Sequence, residues 1–408
     1  WVNCTSDFTT CSGGQSNLAT GIYDVVAGGH QNTAGGSKNV VGGGEMNFVY
    51  GMYSTVGGGG TNYASGTATV IGGGQNGVAI GDFAAISGGF KNEVAAEYSS
   101  VLGGSHNKVE SIYSAIGGGY TNTIHAHYSG VLSGFGNHIN SNADYSTVSG
   151  GHWNNVTSHH GTIGGGFMNH VKAAGAQYIT IGGGGHNTAG YTGSTIGGGQ
   201  YNLIGSSNSI IAGGEKNTVS TGASYSAILG GLSNTAKAKH SSVAGGSHNV
   251  VSGEYAVAAG YYNTASGKGS VAVGTFGAAK DAYSLVFSSS TSKCSSNGIG
   301  TVSLCATGGL YVNGVKYDPA TSTIDSQVAS NTDSITTNKA SIQTNADAIA
   351  AISGGSISTT TSGADGDVTK QDLLDQIATL RIGVIIIAIL AIAQAGFLIF
   401  GFVKQRLA

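Results

Sequence analysis

An Asn with a Gly three residues before it recurs seventeen times in this chain. It falls at 17, 32, 47, 62, 76, 92, 107, 122, 137, 154, 169, 187, 202, 217, 234, 249 and 263, usually 15 residues apart and otherwise 14, 16, 17 or 18. A repeat this short is too small to be a domain, so each unit reads as one coil of a solenoid. Six residues before the last sixteen Asn stands Val or Ile, as at Val26, Val70, Ile116, Ile163 and Val257. Two residues after the Asn stands a second, usually smaller, apolar residue, as at Ala19, Val78, Ile124 and Val219. With a period of two, these predict the inward positions of two very short strands per coil.

The Gly three before the Asn never varies, and the residue before it is Gly except at Ser133 and Ala259. A fixed Gly marks a tight turn or a site with no room for a Cβ. The Asn reads as a turn cap that bonds its own backbone and accepts a left-handed conformation, with successive Asn side chains stacked. The apolar content per coil is thin. Ordering about 15 residues costs roughly 1–2 kcal/mol each for the backbone, so intertwined or tightly associated chains are expected.

Nine residues before the Asn stand Tyr23, Tyr53, Phe83, Tyr98, Tyr113, Tyr128, Tyr145, Tyr178 and Tyr225, with Tyr255 displaced by one. On stacked coils they predict a broken aromatic ladder, serving either packing between coils or chains, or a ligand-facing stripe. Gly makes up 73 of 408 residues without a period of three, which excludes collagen, and the regular Val and Ile registers exclude disorder. A net charge of −3 gives no electrostatic case for nucleic acid. The histidines share no metal-ligand spacing and read as surface residues, the alternative being a symmetric ring of one His per chain. No metal and no catalytic centre is expected. The acids of the repeats lie far apart, and the nearest pair, Glu93 and Glu97, has no supporting acid–base group.

In chain order, residues 1–12 read as a cap and 13–287 as the solenoid head. Residues 288–320 form a neck with a hairpin turning at Asn313-Gly314. Cys4 and Cys11 precede the repeats, and Cys294 and Cys305 follow them. They pair locally or between chains, and they point to an oxidising compartment. The first residue, Trp1, is read as a processed N-terminus, and Asn3 and Asn155 open the two N-glycosylation sequons.

Over 321–352 the period becomes seven, with Val328, Ile335, Ile342 and Ile349 at one heptad position and Asn331, Asn338 and Asn345 three residues after the first three. This predicts a coiled-coil stalk whose amide positions set register and chain number. A flexible linker over 353–366 and a juxtamembrane helix over 367–381 lead to 382–403, which has no ionisable group and predicts a membrane-spanning helix. Lys404 and Arg406, in a tail over 404–408, favour a cytoplasmic or virion-internal C-terminus, with the N-terminus outside.

The coils, as in Gly103-Gly104-Ser105-His106-Asn107 followed by Val109, resemble the YadA-like head of trimeric autotransporter adhesins, and Ser270-Val271-Ala272-Val273-Gly274 is especially close to that motif. The heptad asparagines are similar to that family's stalks. The resemblance implies a homotrimer, a left-handed parallel β-roll, and an anion such as chloride held on the stalk axis by Asn331, Asn338 and Asn345. The single apolar helix departs from that family's β-barrel anchor and favours a eukaryotic, archaeal or viral surface. The expected fold is therefore an all-β solenoid: a trimeric β-roll head, a short trimeric stalk and a transmembrane helix. The expected function is a membrane-anchored adhesin or virion spike, making multivalent contacts with a cell-surface protein or glycan. The alternative is a structural coat or filament subunit that engages neighbouring trimers.

Overall fold

The computed structural model describes residues 3–172, 175–307, 310–312, 315–317, 336–338, 340 and 341. The chain divides into two units, Trp1–Ser322 and Thr323–Ala408. The first is an all-β parallel solenoid. Every coil contributes one short strand to a first sheet and one to a second, two residues long in most coils and up to six, at Ser242–Ser247, toward the C-terminal end, and each sheet reaches 20 strands. Strands pair with the equivalent strand one coil on, as in Lys108↔Thr123 of the first sheet and Ala115↔Gly130 of the second. The stacking begins before the first Asn repeat and outlasts the final one. Asn3 pairs with Leu18, and Val302–Cys305 pairs with Leu285–Ser288. At about 4.8 Å per coil the rod is about 90 Å long. A separate antiparallel pair, Leu310–Val312 with Val315–Tyr317, sets Val312 opposite Val315.

Short strands suffice because side chains complete the hydrogen bonding at the corners. Asn122 shows the pattern. Its backbone N–H and its Nδ2 both donate to Asn107 Oδ1 at 3.1 Å. The same Nδ2 reaches Gly118 O at 3.0 Å and Gly134 O at 2.9 Å. The Asn is fully buried, and the left-handed residue is the one before it, such as His106 (φ 56°) or Thr121 (φ 53°). The Gly three before the Asn is forced: a Cβ on Gly104 would lie 2.1 Å from Gly119 O. A second ladder runs along the opposite corner. The Ser114 N–H donates to Ser99 Oγ at 3.1 Å, Ser129 to Ser114 at 3.1 Å and Ser146 to Ser129 at 3.1 Å. Near the N-terminal end Asp24 and Asn39 take the same role, toward Asn39 and Ser54.

Between the two polar ladders lie two apolar columns, with side chains such as Val109, Ile116, Ile124 and Val131 wholly buried within one chain. This overturns the expectation that thin coils need partner chains. The buried apolar columns and the satisfied corner amide groups together support the coil, and the inward residues of the described coils are closed off within the chain. The homotrimer therefore has no support in the core.

Three register assignments are also corrected. Ile71, Ala79 and Ala258 point inward, not Val70, Val78 and Val257. Asn76 does not cap its coil. Gly77 takes that buried place and donates its N–H to Asn62 Oδ1 at 2.8 Å, so the spacing from Asn62 to Asn92 is two regular coils.

The coiled-coil stalk expected over 321–352 is not found among the described residues. Those are 336–338, 340 and 341, helical and exposed, whereas a coiled coil buries side chains between helices. Asn338 is one of them, and Asn331 and Asn345 lie outside the described residues. Among the described residues no helix is long and apolar enough to cross a membrane. Hydropathy sets only a propensity, and a span needs a formed helix of about 20 residues. The anchor read at 382–403 lies outside the described residues. The lipid-bilayer partner, the single-pass cell-surface or virion topology and the virion spike that depend on it are not carried by the structure.

Asn107→Ala should lower stability by at least about 2 kcal/mol, because it strands buried N–H and C=O groups on both sides. Gly77→Asn should raise it by about 1 kcal/mol by closing the gap in the amide ladder. Thermal melts followed by circular dichroism would check both, and a neutral or destabilising Gly77→Asn would contradict the ladder account.

Candidate functional site

The corner that follows each first-sheet strand carries the aromatic register. Its residues stand in left-handed conformations, with φ of 57° at Phe83, 54° at Tyr98, 56° at Tyr113 and 53° at Tyr128. Their rings stack face to face. Phe83–Tyr98, Tyr98–Tyr113, Tyr113–Tyr128 and Tyr128–Tyr145 have centroids 4.8, 5.1, 5.0 and 4.9 Å apart. His160 continues the stack, 5.1 Å from Tyr145 and 4.8 Å from Tyr178. Gly193 and Asn208 interrupt it, and Tyr225, His240 and Tyr255 resume it at 5.1 and 4.8 Å. Tyr255 therefore belongs to the ladder. Tyr23 stacks on Phe8, and Tyr53 accepts a hydrogen bond from Lys38 Nζ at 2.8 Å, which holds that ammonium above its ordinary range.

A large side chain at positive φ costs roughly 1–2 kcal/mol, and one stacked aromatic pair contributes roughly 0.5–1.5 kcal/mol. The two nearly cancel, so the ladder adds little net stability. The rings are about half exposed.

The Asn corner carries a second ridge that no single register of the sequence displays, because it alternates between two adjacent positions. Tyr120 stacks on Phe135 at 5.4 Å, and Trp153 tilts between Phe135 and Phe167 at 5.6 and 5.8 Å. His186 stacks on Tyr201 at 4.8 Å. Gly136 makes room for the indole, since a Cβ there would lie 2.4 Å from Trp153 Cδ1.

The two sheets differ in charge. On the outward face of the second sheet, from Val25 to Leu304, every side chain is Val, Ala, Thr, Ser, Leu, Ile, Phe, the single Tyr261 or absent, with no charged residue and no His, Asn or Gln. Beside it runs a strip of glycines; Gly43, Gly165, Gly230 and Gly245 have φ of 155°, 152°, 148° and 132°, which favours Gly, but at other positions the chain's own packing does not demand one. A Cβ on Gly28, Gly58, Gly88, Gly103, Gly118 or Gly213 would meet nothing within 4 Å. The outward first sheet is mixed, with Leu18, Phe48, Tyr63, Val78, Leu203 and Val250 on it and charged and His side chains gathered in its middle coils. Lys108 Nζ lies 2.5 Å from Glu110 Oε1 and 3.4 Å from Glu93 Oε1, and His125 Nδ1 lies 2.5 Å from Glu110 Oε2. The Lys108 hydrogen bond lowers the Glu110 carboxyl, while burial, reinforced by His125, lowers His138. Burial also lowers His170, whose Nε2 is enclosed without a partner and which has Lys172 nearby.

The cysteines pair within the chain, Cys4 with Cys11 and Cys294 with Cys305. Each pair joins the two sheets, at the first and last coils of the stack. Asn3 lies in the first strand, and Asn155 faces outward on the first sheet, where its Oδ1 accepts from Asn140 Nδ2 at 2.6 Å. Glu93 is held by Lys108, and Glu97 stands exposed in the next turn. No group of side chains suited to a metal ion occurs among the described residues. The chain matches no protein-family model and no curated protein.

A histidine whose folded pKa is lowered contributes stability that is present above its unfolded value of 6.5 and lost as pH falls through the lowered folded value. The melting temperature should therefore drop between pH 7 and pH 5. His138→Gln with His170→Gln should reduce that drop. An unchanged pH slope in the double variant would exclude these two groups as its source.

Proposed function

We propose that this fibrous solenoid is a structural subunit of a coat or filament, and that it works by laying its second-sheet face against neighbouring copies. The observation that carries this reading is the charge-free face with its bare glycine strip. Each Gly costs roughly 0.5–1 kcal/mol relative to Ala in a regular element. Ser133 and Ala259 show that the register accepts a side chain. A repeated Gly with open space above it fits a surface that another backbone approaches closely. The face is about 10 Å wide and about 90 Å long, so pairing two such faces would bury about 1,800 Å², within the range of stable interfaces. Identical uncharged faces bring no like-charge repulsion together, and the charged first sheet stays in water.

Attachment to a cell-surface protein or glycan is the second reading, favoured by the exposed rings of Tyr120, Trp153 and Tyr201. Loss of cell or glycan binding in Trp153→Ala, without a change in assembly, would support it. No catalytic role is proposed.

Thr162→Lys with Thr195→Lys places two ammonium groups on the charge-free face and touches no inward residue. Sedimentation should show lateral assembly of the wild-type chain and its loss in this variant, with melting unchanged. Assembly that survives both lysines would overturn the reading.

A further inference from the structure

We infer that the tyrosine ladder is a site of oxidative cross-linking, at which a peroxidase-type oxidant joins this chain covalently to a second copy through tyrosine–tyrosine carbon bonds. The inference rests on the packing proposed above only for the nearness of the second copy.

Three features of the ladder lead to it. Tyrosines occupy left-handed positions where Gly or Asn would be less costly, and the stacking they gain does little more than offset that cost. Their rings stand on a corner ridge about half exposed, at Tyr98, Tyr113, Tyr128 and Tyr145. The rings also face each other with interplanar angles of only 6°, 7° and 2° along that run.

That orientation decides where a radical can react. A biaryl bond forms between carbons on the ring edges, next to the hydroxyl-bearing carbon. Stacked neighbours offer each other faces, and each ring is anchored on its own coil, so coupling inside the ladder would require breaking the stack. The outward edges are free to meet the edges of another ladder, which repeats with the same step. Among the described residues every cysteine is in a disulfide, so no thiol is there to quench the phenoxyl radical.

In the reaction, each of two phenols gives up one electron and its Oη proton. The two phenoxyl radicals join through one new carbon–carbon bond. The hydrogens displaced from those two carbons return to the oxygens and restore the phenols. Hydrogen peroxide, consumed by the peroxidase, takes up the two electrons and two protons and leaves as two waters.

The test treats the full chain with a phenol-oxidising haem peroxidase and hydrogen peroxide, after sedimentation has recorded its assembly state. The expected result is dityrosine fluorescence in covalent species of at least twice the chain mass, with peptide mapping placing the links between ladder residues. Tyr98→Phe with Tyr113→Phe, Tyr128→Phe and Tyr145→Phe keeps the stacked rings, which an unchanged melt would verify, and should remove most of the signal. Fluorescence confined to monomer-mass species, links mapping only to Tyr120 or Tyr201, or a signal unchanged in the Phe variant would each overturn the inference. Assembly without ladder cross-links would sink the cross-linking and leave the packing reading standing. Ladder cross-links formed by chains that do not assemble would do the reverse.

Discussion

Corner hydrogen bonding is the constraint on which this solenoid depends. A strand of two residues satisfies few backbone groups, and at each turn the chain would leave buried N–H groups without acceptors. Such groups cost roughly 1–3 kcal/mol each when unpaired. One corner supplies amide side chains from Asn17 through Asn263, and the other supplies Asp24, Asn39 and then mostly serine hydroxyls. The apolar columns between them can then be narrow. A Val or Ile facing a Val, Ile or Ala is enough, because the columns exclude water from the ladders and need not stabilise the coil alone.

That division of labour frees the outer surface. In most small domains, surface residues are limited by what the core beneath will tolerate. Here any outward residue compatible with a strand or a left-handed corner is accepted, so the faces differ sharply from one another. One sheet carries Glu93, Lys108, Glu110, His125 and His138, and the other carries no charge at all. The corners hold aromatic ridges whose rings lie at the spacing that the β-stacking imposes. Periodicity enforced by the backbone thus becomes a periodic surface, well suited to meeting another periodic surface.

The two 14-residue intervals show how local spacing misleads. Counting back from Asn76 points to Val70 as inward, yet Ile71 is the buried residue, because Gly77 keeps the coil at its regular length and Asn76 is displaced to the corner. Counting back from Asn263 points to Val257, where the alanine beside it is inward. Sequence spacing measures residues between markers. The structure conserves hydrogen-bond register, and it lets a marker move when another residue can fill its place. The histidines at 160 and 240 make the same point: they look scattered along the chain, and they complete the ring stack in space.

The chain's repeat alone determined the parallel solenoid, its two inward columns, the invariant corner glycine and the position of the aromatic register, because each follows from residue type recurring at one place in every coil. The tertiary structure decided what recurrence does not encode. It showed that the core closes within a single chain, that serine hydroxyls serve the second corner, that the Asn corner carries its own ridge, and that each disulfide joins neighbouring strands of one end coil. It also gave no support to the stalk and the membrane span, since heptad spacing and hydropathy describe single segments, whereas burial between helices or within a bilayer is a property of what surrounds them. The physical reason is the same throughout. A pattern along the chain sets which way a side chain can point, and only folding sets what it meets there.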